Sequence, residues 1–141
     1  MRYVCDAMLG RLARWLRLLG HDTLYAETGD DELLRLGETR RLLTRDIELA
    51  RRGGVPVIEA DGLQEQLLEV APPPAKPFTR CTACNGELRA ATAVEATHAP
   101  PRVREAHSEF RACDACGQLY WPGTHFERIR DSLREWGLLE P

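Results

Sequence analysis

Apolar positions in the first 70 residues change period repeatedly. "RYVC" (2–5) is a short apolar run of strand length, and "AMLGRLARWLRLLG" (7–20) sets Leu9, Leu12, Ala13, Leu16 and Leu19 along one helical face, with Gly20 as a stop. "DTLYA" (22–26) returns to a strand pattern, and "DDELLRLGE" (30–38) reads as a short helix with Asp30 as its expected N-cap. "RLLT" (41–44) is a third strand and "DIELARRG" (46–53) a helix closed by Gly53. "VPVIEA" (55–60) is a fourth strand, and "LQEQLLEV" (63–70) a last helix. Strands alternating with helices predict an α/β fold, a parallel sheet covered by helices on both faces.

The rhythm breaks at "VAPPPAKPF" (70–78), whose four prolines cannot continue a helix and favour an extended connector. The chain is therefore expected to hold a module over 1–70, a Pro-rich linker over 71–77 and a second module over 78–141. In the second module "GELRAATAVEA" and "SEFRA" can supply ribbon strands, and "THAPPRVREAH" is expected to loop out. A closing helix carries Phe126, Ile129, Leu133 and Trp136 at helical spacing, a packing stripe by default.

Cys81-Thr-Ala-Cys84 and Cys113-Asp-Ala-Cys116 stand 28 residues apart, each followed by a turn residue: Asn85-Gly86 and Gly117. Doubled Cys-x-x-Cys with such turns points to a small ribbon closed by a structural four-cysteine zinc site. A redox dithiol would want a single motif at a helix start after a strand. His98, His107 and His125 are not needed as ligands. Cys5, inside a strand, behaves as a small hydrophobe.

Four aspartates fall at loop-to-helix junctions: Asp6, the pair Asp30 and Asp31, and Asp46. Each can cap a helix, an interaction worth about 1 kcal/mol. In a parallel α/β sheet, however, these junctions open at the carboxyl ends of the strands, where ligands bind. Carboxylates gathered there repel one another unless a cation sits between them, and Mg²⁺ or Mn²⁺ suits oxygen ligands. Such a metal activates water and stabilises the leaving oxygen of a phosphodiester. For Asp46 the capping and metal-binding roles are compatible.

Composition changes this picture little. The formal net charge is −3, yet six arginines lie within 35–52 and Arg2, Arg11, Arg14 and Arg17 within 1–20. Between these two groups a stretch of five acids carries no Lys or Arg. Arg11, Arg14 and Arg17 are either a solvated helix face or a phosphate track, with Arg45 close by. No apolar run reaches a membrane span, and cysteine pairs without an export signal suit the reducing cytoplasm.

"MRYVCDAMLGRLARWLRLLGHDTLY", "DDELL" and "LLTRD" resemble the PIN-like ribonuclease family named for the C-terminal domain of the mut-seven exonuclease. "RCTACNGEL" and "ACGQLYWPGTHFERI" resemble the zinc ribbon that follows in that family. The resemblance implies a PIN-like fold and Mg²⁺- or Mn²⁺-dependent cleavage of RNA, expected to be single-stranded. It implies catalytic roles for Asp6, Asp46 and an acid at the second helix start, where Asp30 is favoured over Asp31. Glu48 and Asp61 are candidates for a fourth acid. Under this reading the ribbon and Arg11, Arg14 and Arg45 help place the RNA. The alternative is a non-catalytic zinc-ribbon module for RNA or a protein partner, its aspartates serving as caps only.

Overall fold

Three short strands form the first sheet of the computed structural model, which describes residues 1–140. β1 (Arg2–Cys5) lies in the centre, with β2 (Asp22–Tyr25) and β3 (Arg41–Leu43) parallel to it on either side. Val4 stands in register with Leu24 and Leu42, and Cys5 with Tyr25 and Leu43. Tyr3, Val4 and Cys5 are all fully buried, as a central strand covered on both faces must be.

Alternation sends Val4 and Leu42 to one face, where they cluster with Leu33 of α2 (Asp30–Leu36) and Leu49 of α3 (Ile47–Gly53). Helix α1 (Gly10–Leu18) packs on β1 and β2, burying Leu12, Ala13 and Leu16, and α4 (Leu63–Val70) packs on α1. The first turn expected of α1 is instead a 3₁₀ turn, Ala7–Leu9.

Two local expectations are corrected. Residues 55–60 form no strand: Ile58 is buried and its amide donates to the Thr44 carbonyl at 2.8 Å, but Pro56 has no N–H with which to continue a ladder. The N-cap of α2 is Gly29, with Asp30 as the first helical residue. Asp30, Asp31 and Glu32 all lie in that first turn, where negative charge favours the helix dipole.

The proline-rich segment lies close against α1. Gly20 has φ +97°, and a Cβ there would stand 2.0 Å from the Lys76 carbonyl oxygen. The amide of Phe78 donates to the carbonyl of Leu18 at 2.8 Å.

The described chain divides into two compact units, Met1–Asn85 and the residues from Gly86 onward. The second unit contains an antiparallel sheet, β4 (Leu88–Ala90), β5 (Arg111–Cys113) and β6 (Leu119–Tyr120), with β5 in the middle. The segment expected to loop out is partly helical. It follows α5 (Ala93–Ala96), closed by a Thr92/Glu95 capping box, and contains α6 (Pro101–Ala106), with proline in the first turn. Helix α7 (Thr124–Glu135) buries Leu133 and leaves Phe126 and Ile129 half-buried; Trp136, its C-cap, is half-buried too. Among the described residues no helix is long and apolar enough to cross a membrane.

Candidate functional site

Asp6 follows β1 directly, and its amide extends the pairing with β3 by donating to the Leu43 carbonyl at 3.3 Å. The residue is 6% exposed, and both carboxylate oxygens accept from the protein. Oδ1 takes the Met8 amide at 3.1 Å and so caps the 3₁₀ turn; Oδ2 takes the hydroxyl of fully buried Thr44. Thr44 Oγ1 in turn accepts from the amide of Asp46 at 3.0 Å. One hydroxyl therefore ties Asp6 to the loop that carries Asp46, using its single proton toward Asp6 and a lone pair toward Asp46. The sequence reading missed Thr44, although its position two residues before the cap is a recognisable signal.

Asp46 is the N-cap of α3: Oδ1 accepts from the Leu49 amide at 2.9 Å, while the residue is exposed. The expected cap is present in an acid that still faces solvent. Cys5, immediately before Asp6, is buried, and burial, with a smaller contribution from the Asp6 charge, pushes its thiol up to about 12. It is a core residue rather than a nucleophile.

The other acids have basic partners. Asp30 and Asp31 both face Arg52 of α3, at 3.8 and 2.9 Å. Glu48 pairs with Arg51, whose hydrogen bond holds the Glu48 carboxyl below its usual range. Asp61 pairs with Arg45 at 2.7 Å.

Among the described residues, the four cysteines Cys81, Cys84, Cys113 and Cys116 are the one group of three or more His, Cys, Asp or Glu whose ligand atoms all lie within 4.8 Å of one another. Asp6, Asp30, Asp31 and Asp46 are not drawn together to that spacing. The pairing of Asp30 and Asp31 with Arg52 and the capping bonds of Asp6 and Asp46 give each acid a partner inside the protein.

The arginines separate in the same way. Arg11 and Arg14 are exposed, whereas Arg17 is 7% exposed and belongs neither to a solvated face nor to a phosphate track. Its Nε donates to the Thr23 carbonyl and its Nη1 to the Thr82 carbonyl, both at 2.9 Å. Arg45 is half-buried, donating to the Ala60 carbonyl as well as pairing with Asp61.

Both cysteine turns have the same form. Asn85 (φ 73°) returns its amide to the Cys81 carbonyl at 2.9 Å, and Gly117 (φ 79°) returns its amide to that of Cys113 at 3.0 Å. Each left-handed residue follows the second cysteine, where asparagine and glycine are the residues that accept such a backbone. The amides of Ala115 and Cys116 point at the Cys113 sulfur at 3.4 and 3.5 Å. Amides aimed at a sulfur favour a thiolate, so the donor set fits a metal ion. The four cysteines are positioned to bind a metal such as zinc.

The first turn is further fixed by the side chain of Asn85, which the sequence marked only as a turn residue. Asn85 Oδ1 accepts from the Thr23 amide at 2.9 Å, and Nδ2 donates to Asp22 at 2.7 Å. Burial alone would raise the Asp22 carboxyl; hydrogen bonds from Arg40 and Asn85, with the charges of Arg40 and Arg80, bring it instead down to about 2.

The fold and these sites define an α/β protein with acids at the carboxyl edge of a parallel sheet and a cluster of four cysteines positioned to bind a metal. The chain belongs to the Mut7-C RNAse domain family, whose family model matches residues 1–133 of its 141. No curated protein matches the chain, and no solved structure matches it.

Proposed function

We propose that this chain is a metal-dependent ribonuclease of PIN-like fold that hydrolyses single-stranded RNA. The observation that carries the reading is membership of an RNase domain family over nearly the whole chain. Asp6 and Asp46, with Asp30 or Asp31, would hold Mg²⁺ or Mn²⁺ only on coming closer together than they stand in this structure, and the ion would then supply water activation and stabilisation of the leaving oxygen.

The chain's own part is positional. Thr44 and the Met8 amide fix the Asp6 carboxylate in one rotamer, so its negative charge is presented without ordering cost. Asp46 keeps its charge at the solvent edge while its capping bond fixes its direction. Arg52, which faces both Asp30 and Asp31, balances their charge until a cation replaces it. Zinc on the four cysteines is structural in this reading, and Arg11 and Arg14 contact RNA phosphates.

One observation favours the non-catalytic alternative: each of the four aspartates already has a capping or ionic partner. Asp46→Asn separates the two. Asparagine still accepts the Leu49 amide, so the fold should survive, but the charge is lost. Cleavage of single-stranded RNA in Mn²⁺ or Mg²⁺ should fall by orders of magnitude. Wild-type protein that cuts nothing with either metal, or an Asn variant that cuts equally well, would overturn the ribonuclease reading.

A further inference from the structure

Three large apolar side chains remain exposed around the acidic edge: Met8 at 69%, Tyr25 at 37% and Ile47 at 77%. The Met8 amide is held by Asp6, Ile47 follows Asp46, and Tyr25 ends β2 in register with Cys5, the residue before Asp6. Exposed apolar residues scattered singly are ordinary. All three lie on segments at the carboxyl edge of the sheet, and one of them is held still.

The Tyr25 hydroxyl donates to the Ala7 carbonyl at 2.9 Å. The phenol end of its ring packs over Gly10, where a Cβ would come within 3.3 Å of Cε1 and Cζ. Gly10 is the first residue of α1, so the absence of a side chain there seats the ring. Partial desolvation, then the charge of Glu27 and its hydrogen bond, with the charge of Asp6, raise the pKa of the Tyr25 hydroxyl. An aromatic ring fixed at one end and still open to solvent is ordered before any ligand arrives, which removes most of the entropy cost of using it. Arg14 lies one helical turn beyond Gly10, on the same side of α1, and is exposed.

We propose that Tyr25 is the base-stacking platform of this site, receiving an unpaired nucleobase of single-stranded RNA, with Met8 and Ile47 as its apolar rim. The inference rests on the ribonuclease reading and adds to it how the strand is positioned. A base already stacked in a duplex cannot reach a fixed ring, whereas an unpaired base of any identity offers a π-face to it. The platform therefore selects single strands with little preference among bases.

The test measures binding of a short labelled oligouridylate to the full chain without added Mg²⁺ or Mn²⁺, so the strand stays intact. Tyr25→Leu should weaken binding about tenfold, while Tyr25→Phe, which keeps the ring over Gly10 but loses the tie to Ala7, should lose clearly less than Tyr25→Leu. An abasic strand of the same length should bind wild type and Tyr25→Leu equally. The platform is overturned if wild type binds no single strand or if Tyr25→Leu binds as well as wild type. It is also overturned if Tyr25→Phe loses as much as Tyr25→Leu, because the hydroxyl tie to Ala7 would then be what matters. Cleavage by wild type in Mn²⁺ judges the underlying reading separately. Cleavage with Tyr25-independent binding sinks the platform alone, and Tyr25-dependent binding without cleavage sinks the nuclease alone.

Discussion

Thr44 has a single hydroxyl proton, and the structure commits it to Asp6 while a lone pair holds the Asp46 amide. Both bonds are buried or partly buried, so removing the hydroxyl leaves an oxygen of the nearly buried Asp6 without its donor. Thr44→Val keeps the shape and should cost about 1–3 kcal/mol in denaturant unfolding. Thr44→Ser should recover most of that loss, since the donor returns. Equal stability of the Val variant would show that Asp6 finds another donor. Asp22 gives a second residue-scale expectation. Its carboxyl lies at about 2 in the folded chain against an ordinary 3.8, a depressed value. The stabilisation from its partners is thus complete above 3.8 and lost as pH falls toward about 2. Wild type should be more stable than Asp22→Asn at neutral pH, and the gap should shrink across that acid window in urea melts. A gap independent of pH would remove the ionic part of the argument.

At the scale of elements, the alternation of strand and helix was legible because both periods are short and their apolar residues face one core. Three strands and four helices of the first unit fall where the pattern placed them, to within a turn. The missing fourth strand failed on one residue: Val55, Val57 and Ile58 carry the composition of a strand, but Pro56 denies the ladder a donor. Arg17 was misread for a different reason. It follows Ala13 by one turn and so borders the buried stripe, whereas Arg11 and Arg14 lie away from it; residue type concealed what position revealed. The cysteine group was readable in full because spacing and turn residues dictate it locally. The partners of the acids were not, since Arg52 reaches Asp30 and Asp31 only once α2 and α3 are packed. Likewise nothing local announces that Asn85 will serve β2 from 62 residues away.

For the whole molecule, the metal content is the first quantity to establish. One zinc per chain is expected by metal analysis, and Cys113→Ser should lower it, because Cys113 is a buried member of the group and receives two amides. Retention of a full equivalent of zinc by that variant would count against the four-cysteine site. The second unit has few fully buried apolar side chains, so chelation should raise its amide exchange most. The side chain of Asn85 carries a separate consequence. A sheet of three strands has two open sides, and β2 forms one of them. Asn85 occupies the Thr23 amide there, as the Ile58 amide occupies the Thr44 carbonyl just past the end of β3, on the opposite side. Asn85 also belongs to a cysteine turn whose shape a metal held by the four cysteines would maintain. A chain that lets this turn go uncovers unpaired main-chain groups along a strand, which is a template for another copy. Metal depletion would then appear as self-association, light scattering that grows with protein concentration, before it appears as loss of helix.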